Sequence, residues 1–242
     1  MNDRAAAVWR ALGTVLDPEL DEPITDLDFV ASCTVSGDGV ARVRLRLPTF
    51  FCAPNFSFLM VADAFDAVVA VPGVTSAEVV LEDHHASAEI NRGVAAHAGF
   101  VATFPGEADA ELEELRRYFL EKAVVAGQDR VARPLVDAGV GPDELAELTL
   151  GSAPSSPDLA RLRERRAALG LPHDDDAPLL IHPDGTRVAA GDIPLHLRRA
   201  RLTRLGIEAN GDLCRSFLAT RYAGNAGEAG RATSTRNTFV SR

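Results

Sequence analysis

Lysine is almost missing from this chain: Lys122 is the only one among 25 basic residues, and the rest are arginine. That bias reads as a coding preference and carries no functional signal. No apolar run approaches the roughly 20 residues that a membrane-crossing helix needs. The opening stretch, MNDRAAAVWRAL, has no long apolar segment, so no secretory signal is expected. Cysteine is scarce as well: Cys33, Cys52 and Cys214 are an odd number at no disulfide-like spacing. Free thiols of this kind point to a reducing compartment, and the cytoplasm is the expected location. No C-x-x-C and no H-E-x-x-H occurs, so no self-sufficient metal site is announced. There is also no G-x-S-x-G, no Gly-rich phosphate loop and no base placed by a motif. Conventional enzymatic catalysis is therefore not expected.

What remains is the composition of an ordinary water-soluble globular protein: 242 residues, 46% hydrophobic and 25% charged. That length suffices for one large domain or two small ones. The net charge of −10 is unevenly spread: −8 over residues 1–104, −6 over 105–156 and +4 over 157–242. The arginine-rich last third lacks aromatic interleaving and any nucleic-acid motif, so it is read as facing an acidic protein surface. Arg198, Arg199, Arg201 and Arg204 would carry a nucleic-acid contact if there were one.

Periodicity predicts a helix over 3–16 that stops at Asp17-Pro18-Glu19, because the residue before a proline leaves the α region. Strands follow at 31–35 and 40–47, joined by the turn Ser36-Gly37-Asp38-Gly39. In the second strand Val43, Leu45 and Leu47 alternate with Arg42, Arg44 and Arg46, the pattern of a half-buried antiparallel strand. A helix over 56–71 and a third strand over 76–81 complete an α+β domain, about three strands with helices on one face. Its boundary is set at residue 104. Residues 105–222 read as a mainly helical C-terminal region, with helices at 108–125, about 128–138, 144–148, after Ser156, 194–205 and 210–221. A small hairpin is expected near 179–188, and residues 223–242 have the composition of a disordered tail.

The stretch LRLPTFFCAPNFSFLM, residues 45–60, organises the first domain. A strand runs through a turn bearing Thr49 and Cys52 into a helix, which sets a thiol beside a helix N-terminus. Backbone N–H groups and the helix dipole favour a thiolate there. A buried structural cysteine is the other reading of Cys52, as it is for Cys33 and Cys214. His84-His85 follows the third strand directly. Adjacent residues on a strand point to opposite faces, so at most one of the two meets the Cys52 turn. Asp17, Glu19, Asp26 and Asp28 form an acidic group near a helix end, either as turn chemistry or as a rim that attracts iron or a partner.

Four pieces occur in order: Asp17-Pro18-Glu19-Leu20, the segment Ile24–Val30 with Asp26-Leu27, the turn Thr49–Cys52, and the strand after Pro72-Gly73-Val74. In this arrangement residues 5–90 resemble the MIP18 (DUF59) family, which includes the SufT and PaaD-like proteins of iron–sulfur cluster maturation. By position, Asp17, Pro18 and Glu19 match the family's acidic motif, Asp26 and Leu27 its second motif, and Thr49 and Cys52 its reactive-cysteine turn. Two positions depart from the pattern: Asp28 stands where the family has glycine, and Ala53 intervenes between Cys52 and Pro54.

The resemblance implies an iron–sulfur cluster or iron assembly and delivery factor, not an enzyme, that matures a client metalloprotein through Cys52. Cys52 would ligate iron or a transient cluster, or accept a persulfide, with His84 and His85 as further candidate ligands. One thiolate cannot hold a cluster that takes about four ligands; a second copy, a partner, the histidines or the carboxylates would supply the others. The implied partners are the client and iron–sulfur assembly proteins. The PaaD likeness suggests a multicomponent oxygenase or its reductase as client, and a homodimer is compatible with the family. The alternative is a metal-free adaptor or assembly chaperone that uses the same fold as a docking surface.

Overall fold

The structure, a computed structural model, describes residues 3–223. Along the chain lie α1 (Asp3–Leu12), β1 (Leu16–Asp17), β2 (Glu22–Pro23), β3 (Val30–Val35), β4 (Val40–Leu45), α2 (Pro54–Val69), β5 (Ser76–Leu81), α3 (Ser87–Ala95), α4 (Phe100–Thr103), α5 (Glu113–Asp137), α6 (Pro142–Glu147), α7 (Pro157–Ala168) and α8 (Ile193–Arg221). The fold is α+β, with the main sheet in the N-terminal part and a mostly helical remainder. The tail expected to be disordered lies, beyond residue 223, outside the described residues. The chain divides into two compact units. The first holds the residues up to Val15, Pro23–Glu107 and the described residues from Gly211 onward; the second holds Leu16–Glu22 and Ala108–Asn210.

In the first unit β3, β4 and β5 form a sheet in that order. β3 pairs antiparallel with β4, and β4 pairs parallel with β5, with Val43 beside Val79 and Leu45 beside Leu81. A parallel neighbour requires a crossover, and α2 supplies it. Ala41, Val43 and Leu45 are buried, whereas Arg42 and Arg44 lie on the open face and pair with Glu78 and Glu82 across the strands. The period-2 alternation thus directs one face to the core and the other to water. α1 packs on β3, and α2 and α3 pack on β5. At the β3–β4 turn Gly39 has φ +91°, and a side chain there would collide with the Gly73 carbonyl. Only glycine meets both conditions.

α1 stops earlier than its periodicity suggests, because Gly13 and Thr14 end it, with the Thr14 hydroxyl donating to the Ala11 carbonyl at 2.8 Å. Leu16–Asp17 then pairs with Glu22–Pro23 as a two-residue ladder.

The second unit gathers its core from α5, α6, α7, the segment 177–188 and the start of α8, around Val131, Leu145, Leu150, Leu162, Leu179 and Ile193. Two breaks expected from the sequence are absent. The stretch read as helices 108–125 and 128–138 is one helix from Glu113, because Gly127 lets Leu162 of α7 approach: a side chain there would sit 3.2 Å from the leucine methyl. Likewise 194–205 and 210–221 are one helix through Gly206. Arg204 and Glu208 bracket that glycine with an i,i+4 ion pair at 2.6 Å, and Arg204 also reaches Asp129 at 2.6 Å. Near 179–188 the chain turns back on itself by a single antiparallel bridge, Ile181 to Arg187, around Pro183-Asp184-Gly185.

Arg166 of α7 is fully buried in this unit. It donates to the Pro178 and Leu179 carbonyls at 2.8 and 2.7 Å and, more loosely, to Pro172 at 3.5 Å. Its Nε has no acceptor among the described residues. Burial, with Arg163 nearby, brings its pKa down to about 10, so it is a cation at neutral pH.

Candidate functional site

The turn between β4 and α2 is built by three local constraints. Pro48 is buried and ends the strand's alternation. The Thr49 hydroxyl accepts the Phe51 N–H at 3.2 Å, an ST-type turn that folds the chain back on itself. Ala53 then caps α2 in an extended conformation, with Pro54 at the first helical position, where its missing N–H costs nothing. The residue between Cys52 and the proline is therefore the helix cap.

The half-buried Cys52 sulfur lies 3.4 Å from the Thr49 hydroxyl. That hydroxyl already accepts from Phe51, so its own proton is available to the sulfur. In the first turn of α2 the Phe56 N–H is held by the Asn55 side chain at 2.9 Å and the Ser57 N–H by the Ala53 carbonyl at 3.1 Å. The polar neighbour of the sulfur is thus a hydroxyl placed by the turn.

Both histidines meet this turn, which corrects the expectation that at most one would. β5 ends at Leu81 and Asp83 adopts φ +57°, so His84 and His85 leave the strand and its alternation no longer applies. Their rings lie 4.5 Å apart. His84 is buried, and its Nδ1 accepts the Ala86 N–H at 3.2 Å. Nε2 must then carry the proton, and it donates to the Cys52 carbonyl at 2.7 Å, with the Ser57 hydroxyl 3.4 Å away. Burial holds the His84 pKa below its ordinary value, only partly offset by the bond to Cys52. The exposed His85 does the reverse. Its backbone N–H and Nδ1 both reach the Phe50 carbonyl, at 3.1 and 2.9 Å. A carbonyl can only accept, so Nδ1 is protonated and Nε2 keeps the lone pair a metal requires. The His85 ring packs against Phe50 and Phe51, the latter 78% exposed.

The acidic residues divide between the units. Asp17 and Glu19 belong to the second, where the Asp17 carboxylate accepts the Glu19 and Leu20 N–H groups at 2.9 Å each around Pro18. Burial pushes the Asp17 pKa up to about 6, against the lowering effect of those bonds. Asp26 and Leu27 belong to the first unit. Leu27 is fully buried, while the exposed Asp26 accepts the Thr25 hydroxyl at 3.2 Å. Asp28, standing where the resemblance expects glycine, adopts φ +60°. Aspartate tolerates that left-handed conformation, and its carboxylate pairs with Arg46 at 2.6 Å. Cys33 is half-buried on β3, its pKa raised by burial, and Cys214 is half-buried on α8. Among the described residues no group of three or more His, Cys, Asp and Glu side chains is arranged to hold a metal ion.

Several contributors gave no warning in the sequence. Ser57 was visible only as one polar position on an apolar helix. Phe50-Phe51, between two prolines in a turn, could have been read as exposed. Arg221 of α8 reaches the Leu47 and Asp83 carbonyls from 174 and 138 residues away, a link without local signal.

Comparison with known proteins fits this geometry. The family profile described as iron-sulfur cluster assembly protein matches residues 5–79. This segment spans the Asp17 turn, the sheet, Thr49, Cys52 and α2. Residues 5–79 form a domain of that family. Proteins named iron-sulfur cluster carrier protein, from Mycobacterium bovis and from two strains of Mycobacterium tuberculosis, are each 36% identical to this chain over 80 residues. The alignment takes in 33% of this chain and 20% of each relative, so the chain spans about a fifth of the length of the curated relatives it matches. No solved structure matches the chain. The family segment ends at residue 79, before His84, His85 and Arg221. No helix among the described residues is long and apolar enough to cross a membrane.

Proposed function

We propose that this protein is an iron–sulfur cluster carrier or assembly factor whose Cys52 ligates iron or a cluster in transit to a client metalloprotein. The observation that carries this reading is the half-buried thiol of Cys52, in a domain of the assembly family, on a turn whose carbonyls are held by two adjacent histidines. The cluster is cargo. Cys52 as thiolate and His85 through Nε2 are the donors this chain brings, whereas both ring nitrogens of His84 are engaged in holding the turn. Asp26 and Leu27 belong to the same compact unit as that turn, whereas Asp17, Pro18 and Glu19 shape a turn of the second unit. A cluster takes about four ligands, so the remaining ones come from a second copy of the chain, the donor or the client. Transfer is then ligand exchange at fixed oxidation state: an incoming thiolate forms an iron–sulfur bond as the Cys52 bond breaks. The Cys52 turn lies in the first compact unit, and the helical second unit, mainly Ala108–Asn210, is the part that recognises the client. A multicomponent oxygenase in the cytoplasm is the client class we favour, with no catalytic role for the chain itself.

The test is anaerobic reconstitution with iron and sulfide, read by absorbance and iron content. The wild type should gain a chromophoric cluster, Cys52→Ser should lose nearly all of it, and His85→Ala should lose part. Equal iron in wild type and Cys52→Ser overturns the reading. The exposure of Phe50 and Phe51 beside the turn favours a second reading, an adaptor that docks on a partner without metal. A Cys52→Ser variant that still supports client maturation in cells, alongside a Phe51→Ser variant that does not, would establish it.

A further inference from the structure

Beyond the end of the β4–β5 ladder, where the Glu82 N–H meets the Leu45 carbonyl at 2.8 Å, the two chains part. One becomes the Cys52 turn, the other the His84-His85 loop, and they meet again where His85 bonds the Phe50 carbonyl and His84 the Cys52 carbonyl. The Arg221 guanidinium bridges the parted segments. Its Nη1 donates to the Leu47 carbonyl at 3.1 Å and its Nη2 donates to the Asp83 carbonyl, while the Asp83 carboxylate lies 2.8 Å from Nη2. Tyr222 adds its hydroxyl to the same carboxylate at 3.2 Å and lies under both Arg221 and Arg46, 5.3 and 4.9 Å from the ring centre. Arg46 in turn holds the left-handed Asp28.

We infer that Arg221, at the C-terminal end of α8, is the positioning residue that holds the Cys52 turn and the His85 loop in one geometry. This rests on the carrier reading only for its purpose, since the positioning itself concerns this chain alone. Three features argue for it. The guanidinium reaches two backbone carbonyls with two rigidly spaced nitrogens, a fork that lysine's single ammonium nitrogen does not offer. The bonds are charge-assisted and so stronger than neutral ones. The residue they fix, Asp83, has the positive φ at which the chain leaves the strand direction ahead of His84 and His85. A segment far outside the family-matched residues thereby completes the site.

The test uses the full chain as wild type, Arg221→Ala, Arg221→Lys and Tyr222→Phe. The readouts are the iodoacetamide alkylation rate of Cys52 followed by peptide mass spectrometry, and hydrogen exchange at His85 and Ala86. In Arg221→Ala, exchange at these amides should rise about tenfold, the effect of losing a charge-assisted hydrogen bond. Cys52 alkylation should accelerate while the melting temperature barely moves. Arg221→Lys should recover part of the effect and Tyr222→Phe should show a small fraction of it. Unchanged exchange and alkylation in a folded Arg221→Ala protein overturns the proposal. If the wild type takes up no cluster but Arg221→Ala still frees the turn, the carrier reading falls and the positioning role stands.

Discussion

Two arginines, one in each compact unit, do similar work under different conditions. Arg166 ties together the loop carbonyls of Pro172, Pro178 and Leu179 from inside the second unit, fully shielded from water. Arg221 ties the Leu47 and Asp83 carbonyls in the first unit with its side chain 20% exposed and a carboxylate beside it. A buried cation without a counter-ion is expensive to desolvate, so the carbonyls around Arg166 are committed to it and cannot relax without unfolding the loop. A partly exposed cation with a carboxylate can let go at modest cost, because water replaces its bonds. The first arrangement suits a loop that must stay shut, and the second suits a turn that can open, as the proposed carrier role requires.

The sharpest way to break this comparison is to remove Arg166. Arg166→Met keeps much of the volume but takes the cationic donor from the buried Leu179 carbonyl and the half-buried Pro178 carbonyl. The expected loss is about 3–5 kcal/mol of unfolding free energy, read from urea unfolding. Arg221→Met should cost the fold far less. Equal losses would mean that exposure does not separate the two arginines.

A smaller effect of opposite sign is expected at Asp17. Its folded pKa, raised to about 6 by burial, lies above the ordinary 3.8, so folding favours the protonated acid. Stability from this group is fully present below pH 3.8 and is lost as pH rises through 6. Asp17→Asn retains an oxygen to accept from Glu19 and Leu20 but carries no charge. It should therefore be more stable than the wild type at pH 8, by on the order of 1–3 kcal/mol, with the two unfolding curves converging in acid. A variant less stable at pH 8 would show that the charge itself supports the turn.

Why the sequence disclosed one half of the site and not the other follows from the range of the interactions. The alternation of Val43 and Leu45 with arginines, the Thr49–Cys52 turn and the proline-started helix are each decided within a few residues, and they were legible. β5 ends at Leu81 as its apolar run indicated, but the direction of His84 and His85 depended on the left-handed conformation of Asp83, which nothing in the sequence marked. Gly127 and Gly206 resembled helix breaks, because a glycine that admits a neighbouring leucine, or is bracketed by an ion pair, looks the same in sequence as one that ends a helix. Arg166 and Arg221 were two arginines among many, and their roles depend on carbonyls that folding alone brings near.

The mildest perturbation is acid, and it separates His84 from Arg221 within the same turn. His84 is neutral in the fold because burial keeps its pKa below the ordinary 6.5, so its contribution is present above that pH and is lost as pH falls through the lower folded value. Protonation adds a hydrogen to Nδ1, which then faces the Ala86 N–H as a second donor and ends that bond, while the Nε2 bond to the Cys52 carbonyl survives. Acidification should therefore raise hydrogen exchange at Ala86, after correction for the intrinsic pH dependence, with Arg221 still in place. His84→Phe should abolish that pH step and leave Cys52 alkylation somewhat faster at every pH. If the step persists in His84→Phe, another titrating group governs the turn and the Cys52 carbonyl is held by something other than this imidazole.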